Sequence, residues 1–413
     1  MVGIYKSIPL ALLLSGSSTA LEFDPSKPAS ALLAQAPEWD NATIGDLGQS
    51  AWGLAVLTAV EIGLTEPKDQ KWIDLTMGVF NALARRWTSE ESICRGGLLA
   101  GPGSLQQEKN PSNADLLGKS AFSNANFFLL SARLALYSGD QTFVTWAEKI
   151  WEWIEMQLVE KKDWTVDDAE IHFTEDHSAG ECSKKDSAWF RGYRDRALLI
   201  EGLSVMYNVT SNSSDSKWSA PLASFINATC SDNSECRPSS SSFENTTTDY
   251  IIRGCESGAT GQCPFDNRSI KGPWIRALSR AAYLAPSLTE KIHKIVGASA
   301  AGAASKCRKT NGTDVGCDVL WGKTCNTPDG FCKDQKLPTM EAGGLGEVHS
   351  SLQAVQGVLW GSEKDGIKQG SVAVDSWTME AAKKEERSGA KGIQIPMLMV
   401  SSGVLGLSGF FIL

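Results

Sequence analysis

The chain has 413 residues, 42% of them hydrophobic, which is enough for one large domain or two ordinary ones with a sizeable apolar core. Its formal net charge is −9 at pH 7, and an acidic chain without a basic patch is not expected to bind nucleic acid. With only four histidines and no C-x-x-C pair, a zinc site is not expected either, and we predict neither a metal nor a cofactor.

The first 20 residues have the pattern of a secretory signal peptide. Lys6 precedes the apolar run 8–14, and residues 18–20 are the small residues of a cleavage site. The apolar run is too short to span a bilayer. We therefore predict that residues 1–20 direct secretion.

The segment 46–62 gives the clearest helical pattern. Asp46 and Gln49 have the spacing of a capping box, and Asp46 is a favourable N-cap residue. The residues that follow are apolar on nearly every side, which is typical of a helix buried inside a larger helical protein.

Further helical patterns follow one another along the chain, and no series of alternating strands interrupts them. The order predicts an all-α protein in which helical hairpins wrap around a central cleft, an α/α toroid. The predicted helices are 72–87, 125–137 with Gly139 as stop signal, 146–157, 189–207, 218–226, 271–284, 288–304 and 348–359. Four tryptophans have the spacing of core residues: Trp72, Trp87, Trp146 and Trp153.

Ten cysteines in an exported chain predict disulfides. Eight of them cluster late in the chain, where short separations favour local pairs, although sequence alone does not fix the connectivity. The predicted local pairs are Cys230–Cys236, Cys255–Cys263, Cys307–Cys317 and Cys325–Cys332.

Seven N-x-Ser/Thr sequons in a chain with a signal peptide predict an N-glycosylated surface. The sequon asparagines are Asn41, Asn208, Asn212, Asn227, Asn245, Asn267 and Asn311.

The C-terminal part has the order of a lipid-anchor signal. Residues 361–392 are charged and lack an apolar period, so we interpret them as a polar linker. Three small residues begin at Ser388, a polar spacer follows, and the chain ends in an apolar tail. This order predicts a GPI anchor at Ser388, with 393–413 as the anchor signal. A single-pass membrane helix is the alternative, but the tail is short and no basic residues follow it.

Several motifs resemble those of glycoside hydrolase family 76, the α-1,6-mannanases, and especially their GPI-anchored fungal cell-wall branch. Residues 45–55 match the pattern G-N-D-D-Q-x-x-W-G-L-A at most positions. Residues 94–98 resemble C-x-G-G-L, residues 119–135 resemble K-N-x-x-S-N followed by A-R-L-A, and residues 271–276 resemble K-G-x-x-x-R. The resemblance covers about 29–360 and implies an (α/α)6 toroid that acts on α-1,6-linked mannan or on the mannose core of GPI glycans.

The chain departs from that family in two respects. The two consecutive aspartates that are the family's catalytic pair fall on Leu47 and Gly48, and the family's first two helices are missing. Glycoside hydrolysis usually needs two carboxyl groups, one as proton donor and one as nucleophile or base. Asp46 and Asp168 are the remaining candidates for a catalytic role, against simpler interpretations as a helix N-cap and a residue of a solvated loop.

The same resemblance implies a set of substrate-binding candidates on the retained motifs. They are Gln49, Trp52, Lys119 and Asn124, of which Trp52 is the best candidate for a wall of the cleft. The family position that looks like the partner of Cys94 is Ala125 or Asn126 here, which leaves Cys182 as the default partner.

Three hypotheses follow for a secreted, lipid-anchored monomer at the outer face of the plasma membrane or in the cell wall. The first is a mannan endo-1,6-α-mannosidase-type glycosidase or transglycosidase. The second is a catalytically inactive mannan-binding paralogue with a retained cleft. The third is an incomplete gene model, because a toroid without two helices exposes the apolar faces of their neighbours. Loss of the aspartate pair predicts little or no hydrolysis by the chain itself.

Overall fold

The structure is a computed structural model, and it describes residues 46–66, 68, 71–88, 93–98, 118–172, 181–185, 193–210, 217–229, 250–252, 269–309, 315–322, 345–359, 370, 372–374 and 376–382. The predicted signal peptide, the anchor signal and Ser388 lie outside these residues. So do Cys230, Cys236, Cys255, Cys263, Cys325, Cys332, Asn41, Asn212, Asn245, Asn267 and Asn311.

Helices make up most of the described chain. They are α1 Asp46–Ile62, α2 Trp72–Arg85, α3 Ala121–Ser138, α4 Gln141–Gln157, α5 Tyr193–Thr210, α6 Ser219–Thr229, α7 Lys271–Leu284, α8 Thr289–Ser305, α9 Leu345–Leu359 and α10 Ser376–Ala382, with 3-10 turns at Ile93–Arg95 and Pro286–Leu288. The predicted helices 46–62 and 271–284 have the observed bounds, and the other predicted helices are found with shifted ends.

The helices form two layers. Within the described part, α1, α3, α5, α7 and α9 contact one another in that order and form the inner layer. Four helices pack outside them: α2 on α1, α4 on α3, α6 on α5, and α8 on both α7 and α9. A connection joins each of α1, α3, α5 and α7 to the outer helix that follows and runs back, so these inner helices are parallel. Helix α9 runs in the same direction as α7, because Gly272 lies beside Ser350 and Gly357 beside Ser279. This arrangement confirms the predicted all-α toroid.

Aromatic side chains fill the space between the outer helices α2 and α4 and the inner helix α3. Phe80 of α2 packs edge-to-face on Phe143 and Trp146 of α4, and Trp87 packs in the same way on Trp153. Trp146 and Trp153 are buried, while Trp72 and Trp87 are half-buried against the same core. The core positions predicted for the four tryptophans are therefore confirmed.

The two ends of the inner arc expose apolar residues. On α9, Leu352, Val355 and Leu359 are 40%, 45% and 62% exposed, and on α1 Ile62 is 52% exposed. An apolar face of this kind is what an inner helix shows when a neighbour is missing from its side. Residues before 46 are outside the described ranges, so the absence of the family's first two helices stays a prediction.

Short antiparallel strands, which the sequence analysis did not predict, lie in the connections. They are β1 Gly118–Lys119, β2 Val159–Glu160, β3 Thr165–Val166, β4 Asp168–His172, β5 Glu181–Lys185, β6 Cys307–Lys309 and β7 Val315–Cys317. They form a sheet of order β1–β4–β5 and two ribbons, β2–β3 and β6–β7. Cys307 and Cys317 face each other across β6–β7 and form a disulfide, which confirms that predicted pair.

The C-terminal helix α10 lies inside the segment that the sequence analysis interpreted as a linker. It packs against α4 and α2, and Thr378 is fully buried there. A segment with few apolar residues docks in this case because its backbone and hydroxyl groups find hydrogen-bond partners on the outer helices. The folded part of the chain thus extends to Ala382.

Two helical glycines allow a test of the packing between the neighbouring inner helices α3 and α5. An added Cβ at Gly202 of α5 would lie 2.4 Å from Phe128 Cε1, whereas at Gly297 of α8 it would meet nothing within 4 Å. We expect Gly202→Ala to lower the free energy of unfolding by about 1–3 kcal/mol through overpacking. The matched control Gly297→Ala should raise it by about 0.5–1 kcal/mol. Urea denaturation of both variants measures the difference, and equal effects would contradict the described packing.

Candidate functional site: the end where the inner helices begin

The inner helices begin at one end of the toroid, because they are parallel. Long connections join each outer helix to the next inner helix at this end, and they carry the β1–β4–β5 sheet and the turn 94–98. Helix N-termini also leave backbone N–H groups unpaired, which suits polar ligands. The residues matched to the family's catalytic motif open α1 at the same end.

The structure gives the backbone of the motif but not its side chains. Residues 46–49, which include Asp46, Leu47, Gly48 and Gln49, form the first turn of α1, and their side chains lie outside the described part. Trp52 follows within one turn and is half-buried. The roles predicted for Asp46, Gln49 and Trp52 remain predictions.

Asp168 does not lie in a loop. It is the first residue of β4, opposite Lys185 of β5, and its neighbour Ala169 pairs with Lys119 of β1. The small sheet therefore brings the backbones of Asp168 and Lys119 together. The simple interpretation as a loop residue was wrong because the strand pairs with the next strand, β5, and with β1, which lies far earlier in the chain. The catalytic role of Asp168 stays a prediction, since its side chain is outside the described part.

Lys119 is fully buried beneath the turn 94–98. Its ammonium donates to Thr88 Oγ1 at 2.7 Å and to the Gly96 carbonyl, and it lies 5.7 Å from the centre of the Trp153 ring. A buried lysine needs such acceptors to compensate for its lost hydration. Lys119 therefore ties β1 to the turn.

Asn124 is also fully buried and holds the next residue of that turn. Its Oδ1 accepts from Leu98 N at 2.9 Å, and its Nδ2 donates to Leu98 O at 3.1 Å and to Ser120 O at 2.9 Å. Both amide hydrogens are thus used within the protein. Any influence of Lys119 or Asn124 on substrate would act through the turn, and their substrate-binding role stays a prediction.

The turn itself has an unusual backbone. Cys94, Arg95, Gly96 and Gly97 all have positive φ, at 59°, 51°, 105° and 90°. Trp153 Nε1 donates to Cys94 O at 3.0 Å, and a Cβ on Gly97 would lie 2.4 Å from the Trp153 ring. Glycine adopts positive φ readily, but Cys94 and Arg95 persist there only when their surroundings over-determine them, and such strain is common at functional sites.

Cys94 adds a covalent link to this turn. It is disulfide-bonded, and β5, the strand that carries Cys182, packs against the 3-10 turn containing Cys94. This proximity supports the default partner given above, and the identity of the partner stays a prediction. The turn leaves Arg95 exposed at the end of the toroid where the inner helices begin.

Sequence reasoning missed a buried ionic network that joins four inner helices. Arg133 of α3 donates to both oxygens of Glu61 of α1, at 3.0 and 2.7 Å. Arg280 of α7 lies 3.4 Å from the same carboxylate and donates to Glu201 of α5 at 2.7 Å. All four side chains are less than 9% exposed. Glu61 and Arg133 are charged residues in otherwise apolar segments, and this contrast is the sequence signal that could have revealed the network.

The network fixes the ionisation of its members. Burial acts to raise the pKa of Glu61, but Arg133 and Arg280 lower it to about 2. Burial likewise opposes ionisation of Glu201, but Arg280 and Arg276 lower its pKa overall. Both glutamates are therefore charged at neutral pH and are poor candidates for a general acid. They hold the scaffold rather than perform chemistry.

Neutral pH should therefore stabilise the protein through Glu61. Because its folded-state pKa lies below the ordinary value of 4.5, this contribution is complete above pH 4.5 and is lost as pH falls toward 2. Glu61→Gln leaves buried guanidiniums without their counter-charge, and we expect a loss of roughly 3–5 kcal/mol at pH 7. The control Glu290→Gln, on an exposed pair with Lys294, should have little effect. Denaturant midpoints from pH 7 to pH 2 measure both, and an unchanged Glu61→Gln midpoint at pH 7 would refute the network's role.

Comparison with known proteins supports the class of protein that the fold defines, an α/α-toroid glycosidase scaffold. The sequence model of Glycosyl hydrolase family 76 matches residues 33–368, and the chain belongs to this family. It is 28% identical to mannan endo-1,6-alpha-mannosidase DCW1 of Candida albicans, over 80% of this chain and 66% of that protein. It is 28% identical to DFG5 of Saccharomyces cerevisiae, over 87% of this chain and 72% of that protein.

Solved structures agree on the fold. Dfg5 from Chaetomium thermophilum, in complex with glucosamine, superposes with a TM-score of 0.57 at 25% identity and covers 79% of this chain and 71% of that one. An inactive variant of the Salegentibacter α-1,6-mannanase GH76A, bound to α-1,6-mannotriose, gives 0.53 at 15% identity, with 76% of each chain covered. The chain spans about two thirds of the length of the curated relatives it matches.

Two further observations concern only the described residues. No group of three or more metal-ligating side chains occurs among them. None of the helices that the structure describes is long and apolar enough to cross a membrane.

Proposed function

We propose that the chain is a cell-wall protein of the mannan endo-1,6-α-mannosidase class that acts on α-1,6-linked mannan or on the mannose core of GPI glycans. The match to Glycosyl hydrolase family 76 over residues 33–368 carries this proposal. The fungal relatives named as mannan endo-1,6-alpha-mannosidases support the substrate class.

The retained scaffold supports a polar cleft at the end where the inner helices begin. The turn 94–98 is held there by Lys119, Asn124 and Trp153, so a ligand would meet a rigid edge rather than a mobile loop. Rigid positioning of this kind reduces the entropy lost on binding. Binding of a mannooligosaccharide is therefore the property of the class that this chain is best equipped to keep.

One observation favours a second candidate function, mannan binding without turnover. The motif positions that hold consecutive aspartates in the family are Leu47 and Gly48 here, at the start of α1. In the Salegentibacter relative, replacement of two consecutive aspartates gives an inactive protein that still binds α-1,6-mannotriose. Leucine and glycine supply neither proton donor nor nucleophile, so we expect turnover by this chain to be slight or absent.

Restoring the pair tests this directly. Leu47→Asp with Gly48→Asp should raise the hydrolysis of α-1,6-mannotetraose by about 10²–10⁴-fold, the usual contribution of general acid–base assistance. The matched control, Leu47→Asn with Gly48→Asn, has the same shape without the carboxylates and should stay inactive. Calorimetry with α-1,6-mannotriose should detect binding by all three proteins. Failure of the unaltered chain to bind would refute the proposed substrate class.

The variant Asp46→Asn tests whether Asp46 is the catalytic residue. Robust turnover by the unaltered chain that disappears in Asp46→Asn, with an unchanged circular dichroism spectrum, would assign the catalytic role to Asp46. Turnover that survives this change would shift the role to Asp168. Slight or absent turnover in both, with mannotriose binding retained, is the expected result.

The predicted signal peptide, sequons and tail support a secreted, N-glycosylated and GPI-anchored monomer. Of the two sequon asparagines in the described helices, Asn227 of α6 is exposed and accepts a hydrogen bond from Lys291 at 2.6 Å, and Asn208 lies near the end of α5. An exposed sequon at a helix surface has room for a glycan.

Phospholipase treatment tests the anchor. Phosphatidylinositol-specific phospholipase should move the protein from the detergent phase to the aqueous phase, because it cleaves the lipid from a GPI glycan but not a peptide helix from a bilayer. Ser388→Leu, which removes the small residue at the predicted attachment site, should abolish the release. Retention of the untreated and treated chain alike in the detergent phase would instead favour a spanning helix.

A further inference from the structure

The chain after α9 returns to the opposite part of the toroid and docks there. We call the described residues between 370 and 382 the C-terminal strap; they comprise Gly370, residues 372–374 and α10. Gly370 N donates to Tyr137 O, at the end of α3, at 3.0 Å. Val372 and Val374 pack, half-buried, against the main apolar core.

Helix α10 completes the docking on the outer layer. Trp146 Nε1 of α4 donates to Thr378 O at 3.1 Å, and Thr378 Oγ1 donates to Asn81 Oδ1 of α2 at 2.8 Å. Thr378 is fully buried between these two helices, whereas the next residue, Met379, is 42% exposed. The strap thus has a buried side and a solvent side, and it is fixed to the wall formed by α2 and α4.

The position of the strap determines where the chain leaves the folded domain. Five residues lie between Ala382 and Ser388, and this stretch spans at most about 20 Å when fully extended. Two layers of helices, each about 10 Å wide, lie on either side of the toroid axis, so the opposite wall is roughly 40 Å away. The tether is therefore short compared with the domain.

We propose that the C-terminal strap orients the anchored protein, so that the α2–α4 wall faces the lipid bilayer and the end where the inner helices begin opens sideways. This inference rests on the proposed GPI anchor. The docking of α10, the last described helix, on the outer helices α2 and α4 carries it. The inner arc then keeps the candidate cleft close to the membrane surface without pressing it against lipid.

Charge does not supply this orientation. The exposed residues of the wall and strap include both signs, with Lys71 just before α2, Asp74 and Arg85 on α2, and Glu380 on α10. A mixed surface gains little from anionic lipid headgroups, which attract clusters of basic residues. The orientation should consequently be insensitive to ionic strength.

Energy transfer to the bilayer tests the inference in the full-length anchored protein. A donor dye is attached through an unnatural amino acid at Gly78 of α2 or at Gly297 of α8, and the acceptor is a headgroup-labelled lipid. Both glycines are exposed, and an added Cβ at either meets nothing within 4 Å, so the two sites are matched. Transfer from position 78 should exceed transfer from position 297, at low and at high salt.

Thr378→Arg should release the strap, because it places a charge in a fully buried position. The tether then starts at α9, which contacts α8, and transfer from 297 should rise to at least that from 78. Met379→Arg on the exposed side of the same helix is the control and should keep the original order. A flexible Gly/Ser insertion after Ala382 should remove the difference while leaving the strap docked, which covers the case in which Thr378→Arg does not fold.

The outcomes separate the two claims. Phospholipase release of the unaltered protein with higher transfer from 78 supports the orientation. Release with equal transfer from 78 and 297 overturns the orientation and leaves the anchor intact. No release overturns the anchor and, with it, the inference.

Discussion

The carboxylate of Glu61 is shared by Arg133 and Arg280, and this contact links three inner helices that are far apart in sequence. Glu201 extends the link to a fourth helix. Buried charges are costly unless each is paired, so the helices can approach only in the arrangement that satisfies all of them. Apolar packing between the layers tolerates small sliding movements, whereas a bidentate arginine–carboxylate pair fixes distance and rotation together. The positions at which the inner helices begin follow from that constraint.

Buried polar side chains also hold the turn 94–98, near the start of α3. Four consecutive residues with positive φ are held by a lysine ammonium, an asparagine amide and an indole, each of them buried. The turn has no apolar side chain between Cys94 and Leu98 that could hold it by packing alone. Under the proposed function, this cradle is the part of the site that positions a ligand, and Leu47 and Gly48 stand where the family's paired aspartates would react. That division favours binding over turnover.

Much of this architecture could be predicted from the sequence, and the failures have identifiable causes. The helix 271–284 was predicted with its observed bounds because apolar spacing and flanking residues agree. The start of α3 was predicted four residues late, since Ser123 and Asn124 resemble loop residues until the bonds of Asn124 to Leu98 and Ser120 are seen. Strand β4 was missed in part because β1, one of its two partners, lies far away in sequence. The motif at the start of α1 was recognised by its resemblance to the family. The spacing of residues alone could not show that Glu61 would be buried and paired with Arg133.

The strap shows how a segment of low hydrophobicity can still define the limits of a domain. Its helix is only seven residues long, which is too short to be stable by itself in water. It forms because Trp146 offers an indole donor and Asn81 an amide oxygen, both on helices that are already fixed by the core. The stability of the strap therefore depends on the aromatic cluster around Trp146. A change that loosened this cluster would also free the point from which the anchor tether leaves, so the packing of the toroid and its orientation at a membrane depend on the same side chain.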